Sequence, residues 1–431
     1  MNDQAASGAV TLLSTRPGDV DSKMVSSTPP TRAMPGCRTS AMAIRTTTTR
    51  TTNIVPVLSA DYSARHHADF SFYELVKAYF DCRRTKRNTA SALAFELDLE
   101  RNLYALYEEL KEGSYKPGPS ICFIITRPKV REVWAAQFRD RIVHHLLYNH
   151  IAPRFYASFI ADSCACIPGR GTLYAAMRLE SKVRSITQNW SRPVWYLKLD
   201  LANFFVAIDK RVVFEQVAAK VTEPWWLQLA GLILFHDPRL DYEYLGHAGS
   251  LNLVPMHKRL TSQPPHLGLP IGNLSSQFFA NIYLDALDQH IKHRIKARHY
   301  IRYVDDMVLL HKSPQWLGAA LADITAFLPA QLGAELNPRK TILQPIARGV
   351  DFVGQVIKPW RRVTRKRTVS EAIRKVRTTP AEELLSVANS YFGLLRQASH
   401  SHHDRTRLAN AVRDRGHTVD RTFTKTYRRA T

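Results

Sequence analysis

In VWYLKLDLANFF, Trp195, Leu197, Leu199 and Leu201 alternate with Tyr196, Lys198 and Asp200. A period of two sends successive side chains to opposite faces, so the segment predicts a half-buried strand that ends on its polar face at Asp200. In YIRYVDDMVLL, apolar and β-branched residues flank an Asp-Asp pair. That pattern predicts two short strands joined by a tight turn, with Asp305 and Asp306 pushed out at the hairpin tip. The period lengthens in GLPIGNLSSQFFANIYLDALDQHI, where Ala280, Leu284, Leu287, Ile291 and Ile295 recur at helical spacing behind Gly268, Gly272 and a capping Asn273. A second helix is predicted in AEELLSVANSYFGLLRQASH, with Leu384, Val387, Tyr391 and Leu394 on its buried face. Residues 1–60 follow neither period and include the run TTTTRTT, which predicts a disordered Ser/Thr-rich tail.

Composition then narrows the partner. With 45% hydrophobic residues among 431, the chain has material for a sizeable core, and its length suggests roughly two or three domains of ~100–200 residues or one multi-lobed body. The formal charge of +23 predicts a large acidic partner, nucleic acid before an anionic membrane surface. No apolar run approaches the ~20 residues of a membrane helix. From Lys358 onward, eighteen Lys or Arg face six Asp or Glu, and KPWRRVTRKRT alone holds six cations in eleven positions. Arg361, Arg362, Arg365, Lys366 and Arg367 are the candidate phosphate contacts. Five scattered cysteines without a CxxC pair read as reduced thiols of a cytoplasmic protein, with Cys164 and Cys166 on one face of a strand, packed rather than metal-bound. The acid-poor first 60 residues also resemble a weak transit sequence, although a solvated tail is preferred.

The candidate chemistry lies in the carboxylates. Adjacent negative charges are costly unless a cation neutralises them, and hard oxygen ligands suit Mg²⁺. If Asp200 and Asp305 lie on neighbouring strands, three carboxylates converge and can hold two metal ions ~3.5–4 Å apart, as nucleotidyl transfer requires. His400, His402 and His403 read as a solvated loop.

With these segments in order, the sequence resembles a bacterial reverse transcriptase. LKLDLANFF, GLPIGNLSSQFF, YVDD, LNPRKT and VDFVGQVI are similar to that family's palm motifs, and RPKxRE, FRDR and SxAC…GRGT to its fingers. The resemblance covers about residues 70–400. It implies an α/β right-hand polymerase fold with an α+β palm, divided into a tail (1–60), an N-terminal and fingers region (61–190), a palm (191–360) and a basic helical thumb (361–431), with nothing appended. It assigns catalysis to Asp200, Asp305, Asp306 and Lys340, the last as proton donor to pyrophosphate. Metal ligation falls to the three aspartates and the Leu201 backbone, with two Mg²⁺ ions for which Mn²⁺ substitutes. Lys129, Arg131, Phe205, Ile271, Gly272 and Gln277 would meet the dNTP, Phe205 as the gate against a 2′-hydroxyl.

Motif B departs from the usual PQG followed by SP, because Ile271 replaces the polar residue and Gln277 follows Ser276. The form IGNLSSQ resembles the enzymes of diversity-generating retroelements. The resemblance then implies template RNA, dNTPs and a cDNA product, a small basic accessory protein or a structured non-coding RNA, no membrane, and error-prone synthesis. An antiphage-defence reverse transcriptase with unusual priming is the alternative, and an inactive RNA-binding scaffold or an RNA-dependent RNA polymerase stand further off.

Overall fold

The computed structural model describes residues 68–84, 86, 89–126 and 129–427. The expected tail, Cys37 and the Arg127–Pro128 start of the RPKxRE motif lie outside the described residues. Helices α1 (Phe72–Arg83), α2 (Ala90–Glu96) and α3 (Leu99–Glu112) lead into an antiparallel pair, β1 (Ser120–Ile125) and β2 (Arg131–Ala135). Helices α4 (Phe138–Tyr156) and α5 (Thr172–Ile186) precede β3 (Trp195–Leu199). Three helices follow, α6 (Phe204–Ala207), α7 (Lys210–Ala218) and α8 (Pro224–Phe235), then β4 (Tyr242–Tyr244), which adds to β1 in parallel. Next come α9 (Leu274–Gln289), the hairpin β5 (His299–Tyr303) and β6 (Asp306–His311), α10 (Pro314–Phe327) and β7 (Ile342–Pro345). Strands β8 (Val350–Phe352), β9 (Gln355–Lys358) and β10 (Arg361–Thr364) form a small sheet, and α11 (Lys366–Thr378), α12 (Ala381–Leu395) and α13 (His402–Arg413) follow with their own core, against which the short pair β11 (Thr418–Val419) and β12 (Thr426–Tyr427) packs.

The central sheet runs β5-β6-β3-β7, all antiparallel. Its strands fall where the alternation predicts them. One expectation fails: the sheet is not half-buried. Leu197, Leu199, Met307 and Leu309 pack into the main core with α4, α7, α8, α9 and α10, and Tyr196, Val308 and Leu310 pack on the other face with α5, β8 and β9. A sheet covered on both faces leaves only its strand ends for polar side chains.

Helix α9 buries Ala280, Leu284 and Leu287 and continues through a wider π turn, His290–Arg294, with Ile291 buried and Ile295 partly so. Asn273 occupies its N-cap position without capping it. Its Oδ1 accepts from the Ala136 N–H at 3.0 Å and its Nδ2 donates to the Trp134 carbonyl at 3.2 Å, so the side chain ties the helix to β2. Three further expectations are corrected. The buried face of α12 is Leu384, Ala388, Phe392 and Leu395, with Leu394 exposed, because α11 and α13 both pack there and turn the stripe by about one residue. Cys164 and Cys166 lie in a loop rather than a strand: Cys164 is fully buried, while Cys166 has a positive φ and is only partly covered. His402 and His403 open α13 instead of a loop. Among the described residues no helix is long and apolar enough to cross a membrane.

Candidate active site

The register of the central sheet builds the site. Leu199 pairs with Met307, so one further step sets Asp200 across from Asp306, the first residue of β6. Tyr303 pairs with Asp306, which leaves Val304 and Asp305 as the two-residue turn between β5 and β6. Val304 takes a φ of 56°, as turns that match strand twist require of their first residue. The tip is partly covered. Asp305 and Asp306 are both partly buried, and Asp200 is 9% exposed.

Like charges set opposite one another across strands repel, and burial adds to the cost. Burial and then Asp200 push the Asp305 carboxyl above the usual carboxylate range. Asp306 is pushed up to about 6, mainly by burial, against the opposing pull of Lys198.

Two lysines answer this concentration of charge. Lys198 lies on the same face of β3 as Asp200, two residues earlier, and diagonally across from Asp306. Its Nζ stands 3.2 Å from Asp306 Oδ1 and donates to the Asp351 carbonyl at 2.8 Å. Lys340 reaches Asp200 from the opposite side. Because β7 pairs with β3 and Leu336 bridges Leu201, the intervening residues loop across the end of β3. The Asn337 N–H donates to the Asp200 carbonyl at 2.8 Å, and the Asn337 side chain accepts from the Arg339 N–H to close a 3-10 turn over Pro338–Lys340. Lys340 Nζ then lies 2.5 Å from Asp200 Oδ1.

Among the described residues, no three His, Cys, Asp or Glu side chains close around a common metal position. The aspartates are electrostatic neighbours, but Lys198 and Lys340 each draw one of them aside.

The donor set nevertheless fits a hard cation. Asp306 Oδ1 is buried and accepts no well-aligned hydrogen bond, an arrangement that a divalent ion would relieve.

Cations and a docked loop complete the surroundings. Lys129 and Arg131 stand beside the site with their side chains open to solvent: partial desolvation and the nearby Lys340 and Arg131 lower the Lys129 pKa, while Asp200 and Asp305 oppose the shift. Phe204 takes the core position against Tyr283, leaving Phe205 half-buried at the edge. The Phe205 carbonyl accepts from the Leu269 N–H at 2.8 Å, which holds the loop before α9 against α6. That loop meets β2 where Trp134 N–H donates to the Ile271 carbonyl at 2.7 Å. Gly272 has a φ of +134°, and a Cβ there would lie 2.9 Å from the Trp134 carbonyl, so the close approach needs glycine. Gln277 is exposed at the start of α9 and accepts from the Cys166 thiol at 3.2 Å.

Not every basic candidate is free. Arg362 is buried, 2.7 Å from Glu180 and donating to Gln355 Oε1 and the Gln397 carbonyl, and Arg365 is paired with Asp351. These two serve the fold and do not face a duplex; Arg361, Lys366 and Arg367 remain exposed. Lys198 is the residue that sequence reasoning missed. The signal was its place two positions before Asp200 on the same strand face.

The family described as reverse transcriptase (RNA-dependent DNA polymerase) matches residues 116–357. No curated protein matches the chain. Among solved structures, apo telomerase from Candida tropicalis truncated from its C-terminal domain is 14% identical, with 56% of this chain and 53% of that one covered and a TM-score of 0.40. Telomerase from Candida albicans in complex with a TWJ fragment of telomeric RNA is 12% identical, covering 69% and 56%, with a TM-score of 0.38. Apo telomerase from Candida tropicalis is 11% identical, covering 69% and 57%, with a TM-score of 0.44. The chain thus spans little more than half the length of these telomerases. With its family match running from β1 through β9 and the central carboxylate-bearing sheet inside it, the chain has the α/β right-hand polymerase fold and belongs to the reverse transcriptase family.

Proposed function

We propose that the chain is an RNA-directed DNA polymerase that adds dNTPs to a 3′-hydroxyl, and that it makes error-prone cDNA within a diversity-generating retroelement. The observation that carries the polymerase reading is the register that sets Asp200 across from Asp306, with Asp305 in the adjoining turn and Lys340 over Asp200. Asp200, Asp305 and Asp306, with the Leu201 carbonyl, would hold two Mg²⁺ ions, which when bound supply activation of the hydroxyl and neutralisation of the pyrophosphate charge.

The chain's own groups do the rest. Lys129 and Arg131 would grip the triphosphate. Phe205, half-buried beside Phe204 at the edge of the core, would stand under the sugar, where a ring offers no acceptor to a 2′-hydroxyl. As the 3′-oxygen bonds to the α-phosphorus and the bond to the β-phosphate oxygen breaks, Lys340 would give its proton to the leaving pyrophosphate. Ile271 and Gln277 would border the incoming base. Residues 61–190, 191–360 and 361–431 would act as fingers, palm and thumb, with Arg361, Lys366 and Arg367 at the duplex backbone.

Primer extension on an RNA template tests the polymerase reading. Asp305→Ala/Asp306→Ala should abolish extension while RNA binding persists, and extension surviving in that variant would overturn it. The retroelement role is tested by sequencing the RNA that co-purifies with the protein. A template repeat from the same locus supports it, whereas an unrelated RNA from a defence cluster would replace it.

A further inference from the structure

Asp162 lies just beyond α4, at the outer edge of the central sheet, where its carbonyl accepts from the Arg302 N–H of β5 at 3.0 Å. Its carboxylate is 5% exposed and meets three cations: Arg178 Nε at 2.5 Å, Lys182 Nζ at 2.9 Å and Lys292 Nζ at 2.6 Å. One negative charge against three positive ones leaves an excess of two. Glu180 sits between Arg178 and Lys182 in the sequence, but it points to the opposite side of α5 and pairs with Arg362. Arg298 and His299 bring further basic groups to the same edge, and the electrostatic influence of Lys182, Arg298 and Lys292 helps hold His299 neutral, its pKa brought down to about 4 chiefly by burial.

Lysines on a surface ordinarily carry their ammonium groups out to water. Here Lys182 and Lys292 are only 14% and 19% exposed, drawn together against their mutual repulsion. Among the described residues, Arg178 makes hydrogen bonds through Nε alone, so both terminal amino groups are available to another acceptor. A guanidinium fork beside two ammonium groups is suited to phosphate oxygens.

The cluster is also separate from the carboxylate site. Lys182 and Lys292 lie by His299, at the end of β5 remote from Asp305, although the Asp162 backbone that gathers them reaches Arg302, three residues before Asp305. The α5 face that carries Arg178 and Lys182 points away from β10 and the C-terminal helices.

We propose that Arg178, Lys182 and Lys292 form a second phosphodiester-binding site, which holds the backbone of RNA running outside the primer–template cleft. RNA is favoured over a small anion because the chain as a whole carries +23 and belongs to a family that works on RNA. The site rests on that family membership and not on which residues catalyse.

The test compares the parent chain with Lys182→Gln/Lys292→Gln, whose folding is checked by near-ultraviolet circular dichroism. Fluorescence anisotropy across a salt series is measured with two probes: a primer–template carrying a long single-stranded RNA extension, and the same duplex without it. For the extended probe, the slope of log affinity against log salt should become shallower by about 1.4, the value for two single-strand phosphate contacts. The short duplex should bind and be extended as by the parent, and Lys182→Arg/Lys292→Arg should restore the slope. Arg178→Gln supplies an independent arm if the double variant does not fold. An unchanged slope overturns the proposal. So does an equal loss on the short duplex, which would place the cluster inside the cleft, or displacement by millimolar inorganic phosphate without any change in slope, which would make it a small-anion site. Failure of Asp305→Ala/Asp306→Ala to stop extension would sink the polymerase reading and leave this one standing.

Discussion

Arg302 and Asp288 form an ion pair with neither side chain exposed, and removing half of it should be costly. All five guanidinium N–H groups are used. Nε donates to Asp288 Oδ1 at 2.9 Å, Nη2 to Asp288 Oδ2 at 2.7 Å and Ser163 Oγ at 3.0 Å, and Nη1 to Asn281 Oδ1 at 3.1 Å and the Val304 carbonyl at 3.2 Å. Asp288→Asn leaves a buried guanidinium without its countercharge, which should cost about 3–5 kcal/mol. Replacing both partners, Asp288→Leu/Arg302→Met, removes both charges. It still strands the Tyr300 hydroxyl, Asn281 and Ser163, at about 1 kcal/mol each, so the double variant should recover up to about two-fifths of a loss at the upper end of that range. Activity should behave differently. The Val304 carbonyl belongs to the turn that presents Asp305, so the double variant should extend primers slowly in spite of its recovered stability. Urea unfolding followed by tryptophan fluorescence, together with primer extension on the same preparations, reads both quantities. A loss below about 1 kcal/mol in Asp288→Asn, or a double variant no more stable than either single one, would refute the energetic argument. Parental extension by the double variant would refute the positioning argument.

Three further outcomes are expected. Gly272→Ala forces a Cβ against the Trp134 carbonyl at an unfavourable φ, for a strain of about 1–3 kcal/mol, and steady-state kinetics should give a raised KM for dNTP with the chain still folded. Burial holds His144 down to about 3 and His145 to about 4. With folded pKa values below the unfolded value, their contribution to stability is present above about pH 6.5 and is lost as pH falls, by up to about 2 kcal/mol per histidine between pH 6.5 and 5. Denaturation midpoints at the two pH values should converge in His144→Gln/His145→Gln. Ile271→Gln restores a polar side chain beside the incoming base, and single-nucleotide incorporation opposite adenine should become more selective; unchanged misincorporation would remove Ile271 from the fidelity argument.

What could be read in the sequence was local and periodic. The strands carrying Asp200 and Asp306, the turn at Asp305 and the α9 stripe follow from patterns a few residues long. What escaped was set by distant partners. Tyr196 lies on the polar-looking face of its strand, yet α5 and the β8–β9 hairpin bury it. Arg362 and Arg365 read as phosphate contacts within a cationic run until Glu180 and Asp351 met them from other elements. The stripe on α12 was displaced because two helices, not one, pack on it. Asp162 sits in an unremarkable loop, and only folding gathers cations from α5 and from the turn after α9 around it.

The parallel pairing of β4 with β1 sets an order of assembly during synthesis. Ser120 pairs with Tyr242, so β1 and β2, complete at Ala135, emerge from the ribosome as a hairpin more than 100 residues before their third strand exists. An isolated hairpin is marginal in water, and an unpaired strand edge invites other chains. The same delay recurs at β3, whose two neighbours, β6 and β7, are both made later. Nascent chains arrested before residue 244 should therefore depend on chaperones and aggregate when released, whereas arrest after residue 345 should yield a completed central sheet.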